Sequence, residues 1–305
     1  SCVLIVNEDG SVTIHIGEVE LGQGAKTIAA MIAAEELGIR AEDVKVIGTD
    51  TDSGAFGLGS YASRTTLVLG NAVKGAAAEA KRLLFRIAAE MLEAHVEDLE
   101  ARERRIYVRG SPGRNILLAD AAFRAYATRG AGYIIFKGYH DPDSTIPDPV
   151  TGRGTIAPTW SYFAQAAEVE VDRTTGEVSV ISIASAHDVG RLINPIGAEG
   201  QVEGAAAQGM GYALTEEMEW KQGRTMNPNL LNYHIVPAAD MPKIECIFVE
   251  TDDPEGPFGA KGMGEPASVP VAPAIANAIE DAIGRRIFDL PIRPEKVLEA
   301  LRRKE

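Results

Sequence analysis

The sequence predicts an α+β fold of two layered α/β units with mixed sheets. Three observations carry it. Short alternating apolar runs occur in pairs joined by turn residues. A glycine-flanked helical run follows each pair, and then a strand and a second helix. The two halves share this order, which differs from the regular strand–helix alternation of a doubly wound sheet. A distant duplication fits the order, although the residues of the halves show no clear identity.

In chain order, strands over 3–6 and 12–16 flank Asp9-Gly10, a hairpin signal. Gly22-Gln23-Gly24 leads into a helix over 25–37, apolar on nearly every side through Ile28, Met31, Ile32 and Leu37, with Gly38 as its terminator. A strand over 44–47 precedes a loop over 50–61 rich in Asp, Ser and Gly. Residues 62–91 form a long amphipathic helix, with Leu69, Val73, Ala76, Ala80, Leu84, Ile87 and Met91 spaced by three and four. A weaker region gives a strand over 105–108, a helix over 119–126 and a strand over 133–137. Residues 141–158, rich in Asp and Pro without periodicity, read as a connecting loop between units 1–140 and 159–305. The second unit starts with strands over 163–171 and 178–183 around the turn Thr174-Thr175-Gly176. A helix over 200–215, a strand over 244–249 and a helix over 271–283 follow, and a terminal helix runs over 294–303 with Pro294 near its first position.

The chain of 305 residues is long enough for two cores. Its net charge of −14 argues against a nucleic-acid surface, which needs clustered positive charge. No apolar run reaches the roughly 18 residues of a membrane span, no basic, apolar leader opens the chain, and a cytoplasmic location is expected. Ser1-Cys2 opens directly into strand-like sequence, so a processed N-terminus or a piece of a longer subunit is expected. Cys2 and Cys246 form no CxxC pair and no cluster-ligand set.

Four segments carry candidate chemistry. Glu20-Leu21-Gly22-Gln23-Gly24 opens a helix, where unpaired N–H groups and partial positive charge suit a polar or anionic ligand. The same residues also suit a tight turn into a helix. Gly59-Ser60-Tyr61-Ala62-Ser63-Arg64-Thr65-Thr66 clusters hydroxyls at the next helix start, as a pterin or phosphate cradle or as a simple N-cap. Gly200, Gly204, Gly209 and Gly211 each cost a helix roughly 1 kcal/mol relative to Ala, which close helix packing or a bound cofactor would explain. Finally, Glu265 stands between Gly264 and Pro266 just before a helix. In a partly desolvated pocket it suits a general base; otherwise it is a carboxylate favouring a helix N-terminus.

Together, GxxELGQG, DTD…GSYASRTT…GNAV, GQVEGAAAQGMG and GAKGMGEP resemble the C-terminal molybdenum cofactor-binding domain of the xanthine dehydrogenase and aldehyde oxidoreductase family, from about Val3 to Leu301. Asp188-Val189-Gly190 and Asn194-Pro195 fit the same pattern. The resemblance implies a molybdenum hydroxylase-type oxidoreductase acting on an aromatic, heteroaromatic or aldehyde substrate. Its cofactor would be molybdopterin, in the cytosine dinucleotide form, holding molybdenum with no protein ligand to the metal. Gly22, Gln23 and Gly24 would contact the pyranopterin, and Ala62 would lie by the molybdenum. Ser63, Thr65 and Thr66 would bind the pterin or its phosphates, and Gln201 would hydrogen-bond the pterin. Lys261 and Gly264 would help shape the pocket. Glu265 matches the family's glutamate and would assist Mo–OH chemistry as the base.

The resemblance also implies partners. These are an N-terminal half of the molybdenum subunit with a GGFGGK-type loop, an iron–sulfur subunit carrying [2Fe–2S] and a flavoprotein carrying FAD. Nothing in the chain matches the N-terminal half, so an inactive fragment or a cofactor-carrying assembly module is the alternative. GLGSYASRTT and SYFAQAAEVEVD lean toward the 4-hydroxybenzoyl-CoA reductase branch, which dehydroxylates reductively. A phosphate-binding α+β protein outside the family is a further rival.

Overall fold

The computed structural model describes residues 1–48, 50–52, 54–128 and 134–303. The chain packs as two compact units, Ser1–Trp160 with Asp252–Gly262, and Ser161–Thr251 with Met263–Glu305. The linear division expected from the 141–158 loop puts residues 252–262 in the second unit; their packing joins them to the first. There, Pro257 lies against the bare face of Gly70, which a Cβ would crowd at 2.6 Å. Sequence order carries no trace of such a return.

In the first unit, β1 (Cys2–Val6) and β2 (Val12–Ile16) form the expected hairpin. Every second residue of each strand is buried, Cys2, Leu4 and Val6 in β1 and Val12, Ile14 and Ile16 in β2, as a half-buried strand requires. Gly10 turns the hairpin at a φ of +82°. Helix α1 (Ala25–Leu37) buries Ala29, Ile32, Ala33 and Leu37, and Gly38 ends it in the left-handed region. Ile28 and Met31 are only half-buried, so the helix has one core face. Strand β3 (Val44–Ile47) runs parallel to β2.

Helix α2 (Thr65–Leu92) buries Leu69, Val73, Ala76, Ala80, Leu84 and Ile87. Met91 is exposed at the C-terminal end of that stripe. The helix starts three residues later than expected, because Ala62 and Ser63 have φ of 50° and 52°, which no α-helix accommodates. A meander of β4 (Leu99–Arg102), β5 (Arg105–Val108) and β6 (Ser111–Leu117) precedes α3 (Leu118–Thr128). Only β5 was legible in the sequence. Strand β7 (Ile134–Gly138) completes a mixed sheet of order β3-β2-β1-β7. The expected start of this strand at Tyr133 lies outside the described residues.

In the second unit, β8 (Phe163–Val171) and β9 (Val178–Asp188) form a hairpin with a bulge at Glu168/Val169. Helix α4 (Pro195–Leu214) starts earlier than expected, because Asn194 caps it by accepting from Gly197 N at 3.2 Å. A small hairpin, β10 (Trp220–Lys221) and β11 (Arg224–Thr225), is followed by β12 (Lys243–Val249), parallel to β9. Helix α5 (Val271–Ile283) and terminal α6 (Pro294–Arg302) close the unit over Ile183, Met210, Ile275, Ile279 and Val297. The sheet order is β12-β9-β8. Each unit thus places a strand that follows its first helix, β3 or β12, parallel to the second hairpin strand, so the shared order of elements extends to the pairing. Among the described residues, no helix is long and apolar enough to cross a membrane.

Candidate functional site

In the first unit, Gly22 and Gly24 enter α1 at φ of 102° and 87°, a region in which only glycine is unstrained. The amides expected to face a ligand here have a partner. The Glu20 carboxylate accepts from Gly22 N at 3.0 Å, Gly24 N at 2.9 Å and Lys26 N at 3.1 Å. Partial burial works against its ionisation, but these amides outweigh it and hold Glu20 below the usual carboxylate range. Gln23 donates through Nε2 to Val19 O at 2.9 Å and Ser60 Oγ at 3.0 Å, and its Oε1 accepts from Leu21 N at 2.6 Å. Both its N–H donors are thereby committed, and what remains is acceptor capacity on Oε1. A Cβ added at Gly22, Gly24 or Gly59 would meet nothing within 4 Å.

The Gln23–Ser60 bond ties this loop to residues 59–66. Ala62 and Ser63 are consecutive non-glycine residues in the left-handed region, a conformation that costs about 1–2 kcal/mol per residue. Surrounding contacts hold it. Arg64 donates to Gly59 O at 3.2 Å, pairs with Glu18 at 3.5 Å and lies over the Tyr61 ring at 5.2 Å. Glu18 is 1% exposed, and its Oε2 has no hydrogen-bond partner. Gly262 backs Ser63 so closely that a Cβ there would stand 1.7 Å from the Ser63 carbonyl oxygen. Thr65 and Thr66 open α2, which has no side-chain cap from Arg64 and no acidic residue in its first turn. Of the two helix starts, Glu20 covers that of α1, whereas the first turn of α2 carries no acidic residue of its own. Lys261 is buried, donating to Trp160 O at 2.8 Å and lying 3.7 Å from Asp253, which also accepts from Thr159 Oγ1 at 2.5 Å. It acts as a strut behind the loop.

In the second unit, the glycines of α4 divide into two kinds. A Cβ at Gly209 would stand 2.3 Å from Val271 Cβ, and one at Gly211 1.8 Å from the Glu216 carboxylate, so both serve packing. Gly200 and Gly204 face open space and need another reason. Gln201, half-buried, lies beside them in the second turn. Val202 and Ala205 of the same helix pack on Ala267, which joins α4 to the 3-10 turn Glu265–Ala267. The Glu265 carbonyl accepts from Ser268 N at 3.0 Å and Ser268 Oγ at 2.9 Å. Glu265 is exposed.

Beneath that turn lies a polar network that the sequence reading missed. Gln165 Nε2 donates to Ala267 O at 2.9 Å and to Ser185 Oγ at 2.7 Å. Ser185 Oγ lies 2.6 Å from His187 Nε2. Burial lowers the pKa of His187 and so favours its neutral ring. Gln165 Oε1 is buried without a partner, a defect that costs about 1–3 kcal/mol. The available signal was period-two polarity, since Ser185 and His187 continue the face of buried Ile183 and Gln165 pairs with Ser185 across the hairpin. Among the described residues, no group of three or more His, Cys, Asp or Glu is placed to hold a metal ion.

Comparison with known proteins follows the same line. The family model of the molybdopterin cofactor-binding domain matches residues 1–242. The xanthine dehydrogenase molybdenum-binding subunit of Escherichia coli O157:H7 is 35% identical over 97% of this chain and 38% of its own length. Subunit gamma of the 6-hydroxypseudooxynicotine dehydrogenase complex of Paenarthrobacter nicotinovorans is 34% identical over 96% of this chain and 36% of its own. Among solved structures, quinoline 2-oxidoreductase from Pseudomonas putida 86 superposes with a TM-score of 0.86 at 28% identity, covering 100% of this chain and 38% of that one. The chain thus spans well under half the length of these relatives.

Proposed function

The chain belongs to the molybdopterin cofactor-binding domain family, and on that premise we propose that it is the cofactor-binding portion of a molybdenum-dependent oxidoreductase. The family match removes the rival of an unrelated phosphate-binding protein. One observation supports the site assignment most directly: Gly22, Gly24 and Gly59 leave open space beside a hydroxyl-bearing helix start that has no acidic residue in its first turn. That combination fits a flat polar heterocycle carrying phosphate. When bound, the molybdenum cofactor supplies two-electron redox chemistry at a substrate carbon.

The protein's part is position and a base. Gly22 and Gly24 let a pterin ring approach the backbone, and Gln23 offers Oε1 as an acceptor. Ala62 lies on the metal side, and Ser63, Thr65 and Thr66 bind the pterin or its phosphates. Gln201, with Gly200 and Gly204 leaving room beside it, is a pterin hydrogen-bonding residue in this reading. Lys261 acts indirectly, as the strut behind Ser63, and Gly264 gives access beside Glu265. Glu265 takes up a proton at its carboxylate as the substrate carbon is oxidised. Desolvation of this exposed carboxylate is supplied by the remainder of the enzyme. That remainder also covers Tyr139, Ile146 and Val150, which are 82%, 94% and 91% exposed. An iron–sulfur subunit and a flavoprotein then carry electrons away, and the cytosine dinucleotide form is the cofactor expected.

The test is to purify the chain alone and co-expressed with the rest of its subunit and the two electron-transfer partners. The assembled enzyme should carry stoichiometric molybdenum and oxidise at least one of xanthine, quinoline, 6-hydroxypseudooxynicotine and benzaldehyde. The chain alone should do neither; stoichiometric molybdenum on it would overturn the reading of an incomplete site. GLGSYASRTT and SYFAQAAEVEVD favour a reductive variant, for which loss of the ring hydroxyl from 4-hydroxybenzoyl-CoA under a low-potential donor is the assay. An assembled, molybdenum-loaded enzyme inert toward every compound would favour the cofactor-carrying module instead.

A further inference from the structure

We propose that Gln165 is a positioning residue for Glu265, acting through the carbonyl of Ala267. The inference rests on the reading of Glu265 as the base, and it starts from a gap in backbone hydrogen bonding. A carbonyl at the start of a helical segment normally accepts from an N–H three or four residues on. For Ala267 the third residue on is Pro270, which has no N–H. The fourth is Val271, whose N–H goes to Ser268 O at 3.4 Å. The donor comes instead from another element: Gln165 Nε2, on β8, at 2.9 Å. The 3-10 turn Glu265–Ala267 is separated from α5 by this proline and is fastened to the sheet by a side chain.

The network behind Gln165 fixes the direction of that bond. One N–H of the amide goes to Ala267 O and the other to Ser185 Oγ, which itself lies 2.6 Å from His187 Nε2. Ser185 is fully buried and His187 1% exposed, so neither rotates into solvent. A flipped amide would set its oxygen against the Ala267 carbonyl. The amide is therefore held in one orientation, although this leaves Oε1 buried without a partner. An apolar side chain would fill the same space without that defect, but it would leave Ala267 O without its donor. Buried polar groups that break the rule of full satisfaction cluster where a constellation must be held in one geometry. Here the geometry held is that of the peptide units on which Glu265 stands.

Two measurements on Q165L, with Q165M as the second variant should the first fold poorly, test the proposal. In the full chain, hydrogen exchange of the segment 264–271 should quicken roughly tenfold, because the Ser268 N–H bond to Glu265 O sits in the turn that Gln165 fastens. Exchange in α4 and the thermal midpoint should stay close to the parent values. Unchanged exchange in 264–271 in whichever variant folds overturns the proposal, whatever the enzyme turns over. In the assembled enzyme, with the panel compound oxidised fastest, Q165L should lower kcat about tenfold with KM and molybdenum content preserved. Against E265Q it should cost nothing further, since it acts through Glu265. A tenfold loss that persists in the Q165L/E265Q double variant shows a general structural role and overturns the proposal. Full activity in E265Q alone removes the underlying reading of Glu265 and is distinguishable, because the exchange result on Q165L stands separately.

Discussion

Replacing Gly262 by alanine places a methyl group 1.7 Å from the carbonyl oxygen of Ser63 and 2.9 Å from its carbonyl carbon. Ordinary contact begins at 3.4 Å, so one backbone must retreat by about 1.7 Å. Neither side yields easily. Ser63 is already in the left-handed region beside Ala62, and Lys261, next to Gly262, is pinned to Trp160 and Asp253. Overpacking typically costs about 1–3 kcal/mol, and a clash against backbone belongs at the upper end because no rotamer relieves it. For a unit of this size each kcal/mol lowers Tm by about 2–4 °C, so G262A should melt about 6–12 °C below the parent. Differential scanning calorimetry of the full chain measures this, and molybdenum content of the assembled enzyme should fall with it. A G262A protein melting within 1 °C of the parent would refute the packing of 252–262 on the Ala62–Ser63 loop.

The other predictions separate stability from function. In G204A the new methyl meets nothing within 4 Å, so Tm should rise by about 2–4 °C for the roughly 1 kcal/mol of recovered helix propensity; undiminished molybdenum loading would show that this face does not receive the cofactor. E265Q should keep its cofactor and lose about 100- to 10,000-fold in turnover, or about 3–5 kcal/mol of barrier; single-turnover reduction at near-parental rate would count against Glu265 as the base. E20Q removes the carboxylate that takes up the amides at the start of α1, and its Tm at pH 7 should drop by about 2–4 °C, the effect of losing a cap worth about 1 kcal/mol. Because Glu20 is held below the usual carboxylate range, its contribution is complete above that range and is lost as the pH falls through the lowered value. The gap between parent and E20Q should therefore close on acidification, and a gap constant with pH would contradict the assignment.

Local signals were sufficient where they involved only near neighbours in the chain. Alternation over 3–6 and 12–16 became β1 and β2, Gly38 and Gly284 end α1 and α5 in the left-handed region, and Pro294 opens α6. Elements without a local signature escaped. Strand β6 contains Pro112 and Gly113 and is mostly exposed, so it has no apolar face to reveal it. Strand β9 runs five residues past its expected end, because Ser185 and His187 occupy core positions that pattern reading reserves for apolar side chains. They are tolerated there because Gln165 and each other satisfy them.

By itself the sequence determined the fold class and the family and singled out the candidate groups, because these depend on residue type, spacing and order, which are properties of the chain as written. Only the tertiary structure decided which of those groups still have bonding capacity. Gln23 has both donors committed, the start of α1 is capped by Glu20, and the first turn of α2 carries no acidic residue of its own. It also decided which glycines serve packing and which face open space, since a missing Cβ has meaning only against the atom that would meet it. Hydrogen bonds are exclusive and steric contacts short-ranged, so both depend on neighbours far away in sequence. Gln165 and Ala267, 102 positions apart, meet because Pro270, between the turn and α5, has no N–H for the Ala267 carbonyl and the sheet sets a donor beside it.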